Sequence, residues 1–286
     1  MKKYFKLMRV HHYIKNLLVF AALACSGQFF NLSKLSAGIF GFIAFCMVSS
    51  VVYIINDIRD REKDRRHPTK CNRPIAAGTV SVNKAWCLAA VLLIVAVICN
   101  AFAFQITSSA LLMLYLILNL GYSFGLKNIP IVDITILVAG FLIRILYGAI
   151  VTDIVISNWL YLTVIALAFY FALGKRRNEL KQVGNGVTRK VLKSYPLDFL
   201  DKNMNMCLTL ANVFYALWSM DEKTQAFYNN NYLIFTVPIV LLITMKYSLD
   251  IEGDFDGDPV EVLLHDKVLL ALCILYLGFM FVILYL

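Results

Sequence analysis

Nine long apolar segments divide this chain, and they restrict its fold more than any other feature of the sequence. They cover residues 13–30, 37–55, 85–104, 108–125, 131–151, 157–173, 204–220, 232–247 and 268–286. Most approach the roughly 20 residues that a helix needs to cross a bilayer. With 60% hydrophobic residues and a mean hydropathy of +0.72, the chain differs strongly from a soluble domain. The sequence predicts an all-α, polytopic membrane protein with nine transmembrane helices in a single integral-membrane domain, residues 1–286.

The basic residues predict how the chain is oriented in the membrane. If the N-terminus starts inside, all but Lys34, Arg144 and Lys223 of the 27 Lys and Arg residues fall on one face. This face comprises the N-terminus and four loops, at about 57–84, 126–130, 174–203 and 248–267. The positive-inside rule places it in the cytoplasm and the C-terminus outside, in a bacterial inner membrane. Its charge would attract anionic membrane lipids and phosphorylated substrates, whereas no separate basic domain suggests nucleic acid.

An acidic cluster follows the second apolar segment directly. On a helix, Asp57, Asp60 and Asp64 would share an arc of about 60°. They would lie at the last turn, where the helix dipole is already negative, so that the carboxylates need a cation. Mg²⁺ fits best, with Mn²⁺ as an alternative, because it takes oxygen ligands and bridges one or two carboxylates to substrate phosphates. The plain structural alternative is a solvated loop with internal Asp–Arg pairs.

The same loop carries basic residues that would complete a site for a metal diphosphate. Pro68 disfavours helix at the residue before it, so the helix should end there and the chain should turn back towards the membrane. Arg66, Lys70 and Arg73 would then face the carboxylates and take the remaining phosphate oxygens. Surface anchoring is the simpler reading for the other basic side chains of this loop.

Arg144 lies inside an apolar segment, where an arginine is functional or paired by default. Asp133 precedes it by about three helical turns, roughly 16 Å, which is too far for a direct pair. A bound phosphate or a carboxylate of a neighbouring helix would therefore have to balance Arg144. Lys15 and Asn16, at the start of the first apolar segment, lie on the basic face and would add a phosphate contact.

At this point the chain resembles the UbiA superfamily of intramembrane prenyltransferases. Asn56, Asp57, Asp60 and Asp64 match its N-D-x-x-D-x-x-x-D signature completely. The sequence is more similar to one branch, the decaprenyl-phosphate phosphoribosyltransferases. The residues that carry this likeness are Lys15, Asn16, Asp64 to Lys70, Arg73 to Gly78, Tyr122, Ser123, Lys127, Asp133, Gly174, Lys175, Arg176, Glu179, Leu180, Pro259, Glu261, Asp266 and Lys267. The resemblance implies a UbiA-like bundle with its active site at the cytoplasmic face.

Two stretches depart from the expected patterns, one from that of the wider superfamily and one from that of the branch. Aromatic prenyltransferases usually carry a second Asp-rich motif after helix six, where this chain has Lys175, Arg176 and Arg177. A basic cluster suits an acceptor that is itself a phosphate, because carboxylates for a second Mg²⁺ are missing there. The fourth loop is also unusual, since Asp254, Asp256 and Asp258 stand where the branch is Gly-rich. The role of this loop stays open.

The resemblance implies a Mg²⁺-dependent pentosyltransferase, which moves 5-phosphoribosyl from 5-phosphoribosyl 1-diphosphate to a polyprenyl phosphate for cell-envelope polysaccharide precursors. Asp57, Asp60 and Asp64 would hold the metal, supported by Asn56. Lys15, Arg66, Lys70 and Arg73 would bind donor phosphates, and Lys127, Arg144, Lys175 or Arg176 the lipid phosphate. The remaining substrate-binding residues would be Asn16, Tyr122, Asp133 and Glu179.

Two other functions remain open at this stage. One is an aromatic polyprenyltransferase of quinone or haem biosynthesis, and the more distant one is a transporter. Transporters place their sites near the bilayer midplane, whereas the polar residues of this chain cluster at one face. The length of the lipid tail, the downstream polymer and the oligomeric state are not fixed by the sequence, and an oligomer stays open.

Overall fold

A computed structural model describes residues 2–67, 70–102, 105–181, 190–228, 231–253, 262–263 and 265–285. All regular elements within these residues are helices, as the sequence predicts. Helices suit a bilayer because they satisfy every backbone hydrogen bond within one segment. The α-helices are α1 (Lys2–Met8), α2 (Ala21–Ala24), α3 (Leu32–Arg59), α4 (Arg61–Arg65), α5 (Val82–Ala101), α6 (Ile106–Phe124), α7 (Val132–Val151), α8 (Asn158–Lys181), α9 (Leu197–Met220), α10 (Glu222–Tyr228), α11 (Val237–Asp250) and α12 (Lys267–Tyr285).

Seven helices in the described part of the chain are long and apolar enough to cross a membrane. They are α3, α5, α6, α7, α8, α12 and the segment Tyr232–Asp250, in which a 3₁₀ turn precedes α11. The first predicted segment instead forms a 3₁₀ helix over Val10–Phe20, followed by the four-residue α2. The seventh predicted segment lies within the 24-residue α9, which is not among these seven helices. Nine membrane-spanning helices therefore stay a prediction.

The chain forms two compact units, and the first comprises Met1–Ala24, Gln28–Gly125 and Ile143–Val155. Its core contains Phe45 and Tyr147, whose rings pack edge to face with centroids 5.5 Å apart. The 3₁₀ helix approaches α7 backbone to backbone, because a Cβ atom on Gly148 would lie 1.8 Å from the carbonyl oxygen of Val19. Only glycine fits at this contact.

The second unit comprises Cys25–Gly27, Leu126–Leu142 and Ile156–Leu286. Its core is built mainly from α8, α9 and α11, with Tyr170, Leu200 and Tyr247 among the buried side chains. The ring of Tyr170 meets that of Tyr247 edge on, at 5.9 Å between centroids. The expected single domain over residues 1–286 stays a prediction beside this division.

Candidate functional site

The acidic run of the first unit is helical but bent. α3 ends at Arg59, and Asp60 links it to α4 with a backbone conformation of φ −86° and ψ 7°. The expectation of one regular helix through all three aspartates is therefore wrong at Asp60. The hydrogen bonds nevertheless continue, since Asp60 N donates to Asn56 O at 2.9 Å and Asp64 N to Asp60 O at 2.8 Å. As predicted, the helix ends before His67.

Arg73 brings two of the three carboxylates together. Its Nη1 lies 2.7 Å from Asp64 Oδ2 and 3.2 Å from Asp57 Oδ1. Arg9 adds a second cation, with Nη2 at 2.6 Å from the same Asp57 oxygen. Both carboxylates are almost fully buried, so each needs its cationic partner. The prediction that the loop folds its basic residues over the acidic cluster is confirmed for Arg73.

The loop that carries Arg73 is fixed by local hydrogen bonds. Ala77 N donates to Arg73 O at 2.8 Å, and Thr79 Oγ1 donates to Pro74 O at 3.0 Å. Arg65 Nε, from α4, donates to Ala76 O at 3.2 Å. These bonds hold the turn against α4, so that the Arg73 guanidinium is directed onto the carboxylates.

The donor atoms near Asp57 suit a hard divalent cation. Among the described residues, no three His, Cys, Asp or Glu side chains gather closely enough to hold a metal alone. Mg²⁺ does not require this, because two carboxylates plus substrate phosphates are its usual protein site. In addition, Asn56 Oδ1 is buried and accepts no hydrogen bond. An amide oxygen left without a donor, one residue before Asp57 in α3, would be a suitable third ligand.

The other basic residues predicted for this site lie around it with different exposure. Arg66 and Lys70 are exposed on the loop, and Lys15 is half-buried on the 3₁₀ helix. Their proposed contacts with phosphate stay predictions. Pro68 and Thr69, between Arg66 and Arg73, lie outside the described residues.

Arg144 is buried, and the hydrogen bonds described for it go to neutral groups. Its Nε donates to Asn16 Oδ1 at 2.9 Å and its Nη2 to Tyr115 Oη at 3.0 Å, while the ring of Phe45 lies 5.1 Å from Cζ. Asn16 in turn donates to Ser49 Oγ at 3.1 Å. Asp133 pairs with Arg176. The structure places Asn16 with Arg144 inside the helical core, so a phosphate contact by Asn16 stays a prediction.

Asp133 belongs to a buried network of the second unit. Arg176 Nε lies 2.6 Å from Asp133 Oδ2, and Arg176 Nη1 lies 2.8 Å from Glu179 Oε2. Tyr195 Oη donates to Asp133 Oδ1 at 2.6 Å and accepts from Ile131 N at 2.6 Å. Burial and the bond to Asp133 raise the pKa of Tyr195 to about 12, so the phenol keeps its proton at neutral pH. Arg176 thus has structural partners where a phosphate ligand was expected.

A second ion-pair network lies at the end of α8. Arg177 pairs with Asp201, and its Nη2 lies 2.6 Å from Glu252 Oε1. The hydrogen bond from Arg177 lowers the pKa of Glu252. Lys175 is half-buried at the same helix end. This helix end therefore joins α8 to α9 and to the segment after α11.

Other predicted residues contribute less to the described geometry. Lys127 and Tyr122 are half-buried at the turn between α6 and α7. In the fourth loop, Asp254, Asp256, Asp258, Pro259 and Glu261 lie outside the described residues.

Sequence reasoning missed several residues of these networks, among them Arg9, Tyr115 and Tyr195. Arg9 was counted only as part of the basic N-terminus, and Tyr115 and Tyr195 were not singled out. Each contact joins residues far apart in the chain, 48 residues for Arg9 and Asp57 and 62 for Tyr195 and Asp133. No local spacing signals such contacts.

Comparison with known proteins places this geometry in a family context. The model of the UbiA prenyltransferase family matches residues 17–248. The decaprenyl-phosphate phosphoribosyltransferase of Mycolicibacterium smegmatis is 35% identical, over 96% of this chain and 89% of the relative. The decaprenyl-phosphate phosphoribosyltransferase of Corynebacterium glutamicum is 34% identical, over 94% of this chain and 82% of the relative. Among solved structures, a UbiA homolog from Archaeoglobus fulgidus shares the fold with a TM-score of 0.69 at 17% identity, over 99% of both chains. A structure of a UbiA homolog from that organism bound to GPP and Mg²⁺ shares the fold with a TM-score of 0.67 at 18% identity, again over 99% of both chains.

Proposed function

The chain belongs to the UbiA prenyltransferase family, and we propose that it transfers 5-phosphoribosyl from 5-phosphoribosyl 1-diphosphate to a polyprenyl phosphate. The observation that carries the proposal is the buried arrangement of Asp57, Asp64 and Arg73, which combines metal ligands with a phosphate-binding guanidinium. Relatives named decaprenyl-phosphate phosphoribosyltransferase, similar over nearly the whole chain, indicate the transferred group and the acceptor. The lipid product would serve the synthesis of cell-envelope polysaccharides.

In this proposal Asp57 and Asp64, with Asn56 and Asp60 beside them, hold the divalent metal. Mg²⁺, when bound, neutralises charge on the departing diphosphate. Arg73, Arg66 and Lys70 take diphosphate oxygens and orient the donor. The lipid phosphate is ionised at neutral pH and needs no strong general base. One of its oxygens forms a bond to ribose C1 as the bond from C1 to the diphosphate breaks, and the diphosphate keeps the electron pair.

The acceptor phosphate requires a cation whose side chain reaches the surface of the protein. Arg176 is fully buried between Asp133 and Glu179, so we assign it the role of holding α7 against α8. Lys175 and Lys127, both half-buried, are the better candidates for the lipid phosphate. Arg144 would stabilise the 3₁₀ helix through Asn16.

Product analysis tests the proposed reaction. Purified protein in nanodiscs would receive labelled 5-phosphoribosyl 1-diphosphate, decaprenyl phosphate and Mg²⁺. We expect a labelled lipid that is absent with excess EDTA and in the Asp57→Asn and Asp64→Asn variants. Full turnover in EDTA would remove the metal from the mechanism. A prenylated ring from polyprenyl diphosphate and hydroxybenzoate, with no labelled lipid, would make the protein an aromatic prenyltransferase.

We also propose that the basic face is cytoplasmic, in a bacterial inner membrane. Cysteine introduced at Lys70 should then react with impermeant reagents only from inside, and cysteine at Lys223 only from outside, on a background without reactive native cysteines. Labelling of position 70 from outside alone would reverse the orientation.

A further inference from the structure

Arg9 occupies an unusual position at the junction of α1 and the 3₁₀ helix. Its backbone is left-handed, with φ 52° and ψ 50°, a conformation that costs free energy for any residue with a side chain. Its guanidinium lies over the ring of Tyr53, 4.7 Å from the centroid, and reaches Asp57 Oδ1 at 2.6 Å. Such strain persists only where the surrounding contacts enforce it.

Those contacts come from α1, which is hydrogen-bonded both to the loop that carries Arg73 and to α3. Lys6 Nζ donates to Asn72 O at 3.0 Å and Lys3 Nζ to Thr79 O at 3.3 Å. Ser50 Oγ, from α3, donates to Met8 O at 3.0 Å. Asn72 directly precedes Arg73. The hydrogen bonds of α1 therefore help to place both Arg9 and Arg73 against the carboxylate of Asp57.

Arg9 and Arg73 compete for a single oxygen of Asp57. Both approach Oδ1, at 2.6 Å and 3.2 Å, while Asp64 binds only Arg73 among the ion pairs described. A divalent cation bound at the Asp57 carboxylate would compete with both guanidiniums for its negative charge and would repel them. Arg73 would retain Asp64 as a partner, whereas Arg9, largely buried, would lose its carboxylate. Its charge then requires another anion nearby.

We propose that Arg9 is a diphosphate-binding residue, whose guanidinium moves from Asp57 to the diphosphate oxygens when a divalent cation takes that carboxylate. The inference rests on the proposed function only insofar as the site binds a metal diphosphate. The forked guanidinium suits a second anion of this kind, since it donates two parallel hydrogen bonds to phosphate oxygens. Arg9 thereby links the N-terminal helix to occupancy of the site.

Calorimetric titration of the full-length protein in detergent tests the partner exchange. The ligands are Mg²⁺ alone and inorganic diphosphate with Mg²⁺. In Arg9→Gln, we expect Mg²⁺ alone to bind at least as tightly as in the wild type, because a competing cation is gone. The Kd for magnesium diphosphate should rise about tenfold or more, as expected for loss of a charge-assisted contact. Arg9→Lys should recover only part of this affinity.

Lys34→Gln is the matched control, because Lys34 is also a cation that contacts a distant segment of the same unit, with Nζ 2.9 Å from the carbonyl oxygen of Asp153, and it plays no part in the aspartate site. It should leave both affinities unchanged. Unchanged affinity of Arg9→Gln for magnesium diphosphate would overturn the inference. An equal loss of affinity for Mg²⁺ and for magnesium diphosphate, together with a lowered melting temperature, would overturn it as well. If the wild type binds no magnesium diphosphate, the proposed function falls as well. Binding that depends on Arg9 without phosphoribosyl transfer would refute the proposed function alone.

Discussion

Arg176 and Asp133 form an ion pair, with Nε 2.6 Å from Oδ2, in which both side chains have no solvent exposure. Removing one partner of such a pair leaves an uncompensated buried charge, which typically costs about 3–5 kcal/mol. We therefore expect Arg176→Met and Asp133→Asn each to lower the melting temperature in detergent strongly. Lys202→Gln, an exposed change in the same unit, is the control. The pair would be dispensable if either variant melted like this control.

Gly148 gives a second prediction about stability. A Cβ atom there would meet the Val19 carbonyl oxygen at 1.8 Å, whereas a Cβ atom on Gly278 would meet nothing within 4 Å. Gly148→Ala should therefore destabilise the protein by at least about 1–3 kcal/mol, because backbone must shift. Gly278→Ala, within α12, should stabilise it by up to about 1 kcal/mol. Equal melting temperatures for the two variants would contradict the close approach of the 3₁₀ helix to α7.

Local sequence patterns predicted part of this molecule well. The spacing of Asp57 and Asp64 indicated that they share a face, and Arg73 was expected to lie over them, because both predictions depend on short stretches. The 3₁₀ helix of Val10–Phe20 was not predicted, since hydropathy reports burial in a membrane and not the type of helix. Contacts over long separations, such as Arg9 with Asp57, depend on tertiary packing that no local period records.

Glu252 provides a prediction about pH. The hydrogen bond from Arg177 lowers the pKa of this carboxyl below its ordinary value of 4.5. The ionised Glu252 carboxylate therefore contributes its full stabilisation of the folded state above pH 4.5. This contribution is lost as the pH falls through the lower pKa that the carboxyl has in the folded state. We expect Glu252→Gln to reduce the melting temperature at pH 7 and to reduce it progressively less as the medium is acidified below 4.5. If the difference in melting temperature between Glu252→Gln and the wild type did not shrink on acidification, the effect of the substitution would not come from the contact with Arg177. Glu222→Gln, an exposed change in α10, is the control.

The last prediction concerns which cations bind which substrate. Because Arg176 is locked between two acids, the acceptor phosphate should depend on Lys175 at the same helix end. Lys175→Gln should raise the KM for polyprenyl phosphate about tenfold or more, with little change for 5-phosphoribosyl 1-diphosphate, since a charge-assisted contact contributes about 1.5–3 kcal/mol. Arg73→Gln should show the opposite bias. Lys193→Gln, exposed in the same loop, should change neither KM.

Lys175→Gln and Arg73→Gln distinguish the two substrates only if Lys175 contacts the polyprenyl phosphate alone and Arg73 contacts the 5-phosphoribosyl 1-diphosphate alone. If Lys175→Gln left the acceptor KM unchanged, the lipid phosphate would have to be bound elsewhere, with Lys127 the next residue to replace. If Arg73→Gln raised both values equally, Arg73 would act by holding Asp57 and Asp64 in place, because loss of that bridge alters the whole site. A bias confined to 5-phosphoribosyl 1-diphosphate would instead mean that the Arg73 guanidinium binds the donor itself.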